Sequence, residues 1–67
     1  MTPVEVGRRL RQLRQDAGLS QVELAERADS SQPEISDWER GRRRPGVTNL
    51  LRLARALGVH PGRLLED

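Results

Sequence analysis

The sequence predicts an all-α fold, a compact bundle of five short helices forming one domain over residues 1–67. Three observations carry this. Apolar residues recur at the three-and-four spacing of a helix face, with no period-two alternation of the kind that marks strands. Serines followed three residues later by glutamate mark helix starts, the pattern in which side chain and backbone cap each other. Glycines then stand where the apolar stripes stop, supplying the left-handed residue that closes a helix.

The elements follow in order. Val6, Leu10, Leu13 and Ala17 define one face of a first helix at about 4–17, closed by Gly18. Ser20 with Glu23 opens a second at about 21–28, with Leu24, Ala25 and Ala28 as its stripe. Asp29-Ser30-Ser31 is a run of turn formers, and Ser31 with Glu34 caps a third helix at about 32–40 that ends at Gly41. Pro33 is tolerated there because a first-turn N–H has no helical partner to lose. Past Arg42-Arg43-Arg44-Pro45-Gly46, the residues Val47, Leu50, Leu51, Leu53, Ala54 and Leu57 form a wide apolar face at about 47–57, stopped by Gly58. Pro61 after His60 opens a last short helix at about 61–65, anchored by Leu64. No repeat, low-complexity segment or linker interrupts this order.

Composition bounds the function. At 67 residues a domain buries only about 60% of the surface its unfolded chain exposes, and with no cysteine and one histidine it has neither disulfides nor a Cys/His zinc site to help. Packing alone must hold it. Hydrophobic residues at 34% against 33% charged fit a soluble helical domain, and no apolar run approaches the roughly 20 residues that span a bilayer. The first residues lack the apolar stretch and cleavage site of a secretory signal, which places the protein in the cytoplasm with no membrane partner. No nucleophile with a base, no metal cluster and no Gly-rich phosphate loop is present, so the reading is not an enzyme and implies no cofactor.

Twelve basic and ten acidic residues leave a net charge of +2, which says little as a total. Distribution says more. All twelve are arginine, which forks two hydrogen bonds onto a phosphate. Arg40, Arg42, Arg43 and Arg44 fall within five residues, directly after the third helix, where they read as phosphate contacts that set affinity. Arg8, Arg9 and Arg11 lie off the stripe of the first helix and read as solvated.

The second and third helices, separated by a three-residue turn, have the dimensions of a helix-turn-helix. At about 100° per residue, Ile35, Trp38 and Glu39 share one side of the third helix, and Pro33, Ser36, Asp37 and Arg40 the other, with Gln32 at the tip. The first set faces the core, Trp38 included. The second is short and polar, suited to the DNA major groove, where Gln and Asp bond base edges.

Four blocks then carry a family resemblance: Gly18-Leu19-Ser20-Gln21-Val22-Glu23-Leu24-Ala25; Ile35-Ser36-Asp37-Trp38-Glu39-Arg40-Gly41; Pro45; and Leu53-Ala54-Arg55-Ala56-Leu57-Gly58-Val59. Together they resemble the phage repressor and Cro family of helix-turn-helix proteins, also called the xenobiotic response element family, over about Val6 to Leu65. The resemblance implies a lambda-repressor-like DNA-binding domain and a transcriptional regulator, in the repressor role. It implies double-stranded DNA as partner, a pseudo-palindromic operator, and half-sites about 10 base pairs apart bound by a homodimer. By position, Gln21 resembles the family's phosphate-contacting residue, with Ser31 assigned beside it. Gln32, Pro33, Ser36 and Asp37 match its base-reading positions, and Arg14 with Glu39 matches an ion pair tying the first helix to the third. Two positions depart: the turn has Asp29 and Ser30 where the family usually carries a glycine and then an apolar residue. Asp still tolerates the left-handed conformation. Pro33 offers apolar contact only, and Asp37 either accepts from a cytosine amino group or excludes by repelling phosphate.

Leu51 and Leu65 fall outside the core face and are candidates for a subunit contact, while Val22 reads as exposed without a role. A second reading of the same fold is a protein-interaction adaptor or antitoxin-type partner-binding module, kept open by the acidic Asp37.

Overall fold

A computed structural model describes residues 1–65; the last two positions of the expected 1–67 domain lie outside the described residues. Four α-helices follow one another, α1 (Pro3–Asp16), α2 (Gln21–Arg27), α3 (Gln32–Glu39) and α4 (Val47–Leu57), then one 3₁₀ turn, Pro61–Leu64. The fifth α-helix expected at 61–65 is therefore this turn. Four residues that include a proline and a glycine are too short and too poor in helix formers to nucleate an α-helix, whereas the tighter 3₁₀ bonding suits a single turn. His60 caps it, its Nδ1 accepting from the Gly62 N–H at 3.0 Å.

Reciprocal caps open the first three helices. Thr2 and Glu5 cap α1, a box that opens the helix one residue before the expected start, and Ser20 with Glu23 and Ser31 with Glu34 cap α2 and α3. The hydrogen bonds from Thr2 and from Ser20 hold the carboxyls of Glu5 and Glu23 below the usual carboxylate range. These are stabilising above that range and are lost as pH falls through the lowered values.

The other ends close alike. Gly18, Gly41 and Gly58 have φ of 72°, 73° and 70°, and Asp29 takes the same left-handed place after α2 at φ 54°. Each is followed by a six-residue closing bond, from Leu19 to Arg14, Arg42 to Asp37, Val59 to Ala54 and Ser30 to Ala25, at 2.9–3.1 Å. The Ser30 hydroxyl, just past Asp29, is buried without a hydrogen-bond partner.

One core joins the elements. Leu10, Leu24, Ile35, Leu53 and Leu64 are fully buried, with Leu19, Ala25, Ala28, Trp38 and Ala54 around them. Three residues placed on apolar stripes by periodicity fall outside the core: Leu51 in the middle of α4 is 53% exposed, and of the two others Ala17 is exposed at the end of α1 and Val47, at the first position of α4, is 74% exposed. Ala17 and Val47 sit at helix ends, where the stripe runs on past the neighbouring helix. The packing of α1 on α3 depends on Gly7, which is buried. A Cβ there would run into the Trp38 carbonyl and lie 2.7 Å from the Glu39 carbonyl oxygen. Only glycine lets the two backbones meet.

Candidate nucleic-acid interface

Helix α3 divides as its 100° turn dictates. Ile35 and Trp38 are buried, and Glu39 turns inward beside them with its side chain 3% exposed. On the outer side Gln32, Pro33 and Arg40 are exposed, and Ser36 and Asp37 are half-buried.

The inner face is fixed by a directed polar network. Arg14, on α1, donates from Nε to Glu39 Oε2 at 2.5 Å and from Nη2 to Oε1 at 3.0 Å, a two-point fork. Its third donor, Nη1, bonds the Leu19 carbonyl at 2.8 Å and so ties down the entry to α2. These bonds to Glu39 make Arg14 hold its proton more tightly than a free arginine, outweighing the burial that favours loss. From Glu39 the network continues outward. Gln21 donates from Nε2 to Glu39 Oε1 at 3.1 Å, and Gln32 donates from Nε2 to Gln21 Oε1 at 2.8 Å. The chain of bonds runs from α1 through α3 and α2 to the exposed tip of α3.

Other sequence-named positions are arranged differently from a simple reading. Ser31 spends its hydroxyl locally, accepting from the Glu34 N–H at 3.4 Å and donating to Glu34 Oε1 at 3.0 Å. Asp37 lies 3.8 Å from both Arg42 and Arg43, pairs that are exposed and long and therefore weak. Arg44 donates to the Met1 carbonyl at 2.6 Å, a neutral acceptor that leaves its charge uncompensated. The loop is anchored by buried Pro45 and by Gly41, whose missing Cβ makes room for Val4. Leu51 and Leu65 are 53% and 45% exposed, and Leu51 lines a shallow groove on α4 with Thr48, Arg52 and Arg55.

Two features escaped the sequence reading. One is Gly7, although its place seven residues before Arg14 puts both on the same face of α1, toward α3. The other is the Gln32–Gln21 bond, between residues eleven apart whose approach is set only by the crossing of α2 and α3. Among the described residues no group of three His, Cys, Asp or Glu side chains could hold a metal ion, and no helix is long and apolar enough to cross a membrane.

Residues 10–64 match the helix-turn-helix family, and the chain belongs to it. The class that fold and sequence define is a DNA-binding transcription regulator, of the phage repressor-like kind. The chain is 41% identical over 62 residues to the immunity repressor protein of Bacillus phage phi105, covering 92% of this chain and 43% of that one. It therefore spans less than half the length of that relative. Among solved structures it superimposes on the restriction-modification controller protein C.AhdI from Aeromonas hydrophila with a TM-score of 0.90 and 40% identity, over 92% of this chain and 94% of that one. The P22 c2 repressor in complex with synthetic operator 9T matches with a TM-score of 0.85 and 36% identity, over 91% and 92% of the two chains.

Proposed function

We propose that this chain is a sequence-specific double-stranded DNA-binding repressor that inserts α3 into the major groove, acting in the cytoplasm on the nucleoid. The observation that carries the reading is the outer face of α3, short and polar, followed at once by the exposed arginines of 40–44. Gln32, Pro33, Ser36 and Asp37 read bases, and Gln21, Ser31, Arg40, Arg42, Arg43 and Arg44 hold the phosphate backbone. Ser31 does so through whatever its cap with Glu34 leaves free. A relative that is an immunity repressor and a solved neighbour bound to a synthetic operator support this reading. Pairing through Leu51 and Leu65 gives a homodimer that matches a pseudo-palindrome with half-sites about 10 base pairs apart. No cofactor and no catalytic step enters.

Selection of binding sites from a random duplex pool, followed by affinity against salt, tests it. Each phosphate neutralised contributes about 0.9 to the slope of log affinity against log salt. Replacing Arg43 and Arg44 by Ala is expected to weaken binding to all sequences and to flatten that slope by about 1–2. An unchanged slope removes the loop from the interface. No selected site at all favours the adaptor reading, for which Asp37, drawing on Arg42 and Arg43, is the supporting observation.

A further inference from the structure

We infer that Glu39, which lies inside the domain, is a positioning residue for base preference, because it sets which way round the Gln32 amide faces the groove. The inference rests on the proposed reading by α3. A carboxylate that holds the donors of Arg14 only accepts hydrogen bonds. Gln21 must therefore turn its NH₂ toward Glu39, and its carbonyl oxygen is left facing Gln32. Gln32 must in turn present its own NH₂ to Gln21. The polarity of three side chains is thus dictated from the ion pair outward.

An amide group reads a base by the order of its donor and acceptor. With one Nε2–H given to Gln21, Gln32 keeps the other N–H and its whole carbonyl oxygen, side by side. That is the pattern a glutamine uses on adenine, donating to N7 and accepting from the N6 amino group. A freely turning amide would present the reverse order equally well and would lose discrimination. Holding the amide also removes the rotamer entropy that a surface glutamine otherwise gives up on binding. The arrangement thus gives Arg14 and Glu39 two effects: they tie α1 to α3, and they orient a reading group exposed on the far side of α2.

Single-base variants of the selected site separate the two effects, since a structural role alone lowers binding to every sequence and leaves ratios between bases unchanged. Gln32→Ala locates the position that Gln32 reads, where wild type is expected to prefer adenine by about tenfold or more. Gln21→Met breaks the relay and leaves the ion pair intact. Its total affinity falls with the phosphate contact, and its adenine preference at that position is expected to drop to about threefold or less, with the other positions unchanged. Glu39→Gln, measured at low temperature to keep the domain folded, is expected to lose preference in the same way. Combining Glu39→Gln with Gln21→Glu restores an acceptor opposite Gln32 and is expected to restore the preference, although the added negative charge lowers affinity for all sequences. A wild-type ratio in Gln21→Met at a position that Gln32→Ala flattens overturns the inference while leaving α3 as the reader. A profile that Gln32→Ala itself leaves unchanged overturns the reading of α3, and the inference with it.

Discussion

The two halves of the domain are held by different means. In α1–α3 every helix start carries a reciprocal side-chain cap, and the Arg14–Glu39 fork with its extension through Gln21 fixes the angles between helices. In α4, Gly46 caps without a side chain and Leu53 and Ala54 make apolar contacts with the core, and the turn after it has only the local His60 cap, with no ion pair or side-chain network reaching another helix among the described residues. Apolar packing fills space but is non-directional, whereas a hydrogen bond to a charged group fixes a geometry. A face that has to register against a partner with base-pair precision needs the second kind. A face that only needs a second apolar surface to bury itself does not.

The largest stability effect is expected at the ion pair. Glu39→Ala leaves Arg14, 11% exposed, without its charge partner. Removing one member of a buried pair costs about 3–5 kcal/mol, and this one retains some exposure and the Leu19 carbonyl, so about 2–4 kcal/mol is expected. At about 4–8 °C per kcal/mol for a domain this size, thermal unfolding reads that directly. A melting temperature equal to wild type would break the comparison at its root.

Next comes the close approach that the ion pair spans. Gly7→Ala gains up to about 1 kcal/mol of helix propensity but forces a Cβ into the carbonyls of Trp38 and Glu39, which cannot move without shifting α3. Overpacking of this kind costs about 1–3 kcal/mol, so net destabilisation is expected in denaturant unfolding, together with weaker DNA binding from the displaced α3.

The sequence carries the helices and the division of α3 into two faces, and leaves the side-chain network open. Helices α1–α4 were legible because each has a stripe, a start signal and a stop signal that agree. The expected boundaries differ from the observed ones by one residue at most. The last element failed because proline at a first turn announces a helix of any kind, and only length separates one 3₁₀ turn from an α-helix. Val47 and Ala17 failed because periodicity tells which side a residue takes and not how far the neighbouring helix extends. At the site, the split of α3 into two faces follows from its turn angle alone, and Arg14 and Glu39 were paired by resemblance. What side chains do with their remaining bonds was not legible. Gln21 and Gln32 meet only across the crossing of α2 and α3, Arg44 finds the Met1 carbonyl from 43 residues away, and Ser31 is committed to its own cap.

A smaller effect of opposite sign is expected where the directed half has a flaw. The Ser30 hydroxyl is buried with no partner. A buried unsatisfied hydroxyl costs about 1–3 kcal/mol, while its methyl replacement keeps the packing. Ser30→Ala is therefore expected to raise stability by about 1 kcal/mol and the melting temperature by several degrees. A fall would mean that the hydroxyl has a partner, such as water, that the backbone arrangement admits.

The smallest expected stability effect is on the apolar half, and there the absence of an effect is informative. Leu51→Ser removes a side chain that is 53% exposed and touches little of the core, so the monomer should unfold within about 0.5 kcal/mol of wild type. The exposed surface it leaves behind is what a second copy would bury. If α4 supplies the subunit contact, the substitution should reduce self-association in sedimentation. It should also lower affinity for a two-half-site operator while leaving binding to a single half-site unchanged, because only the paired form gains from the second half-site. Glu39→Ala should do the reverse, weakening both DNA forms alike through loss of the fold. The two substitutions thus separate the half proposed to read DNA from the half proposed to pair, and an equal loss on both operators from Leu51→Ser would assign α4 to the reading half instead.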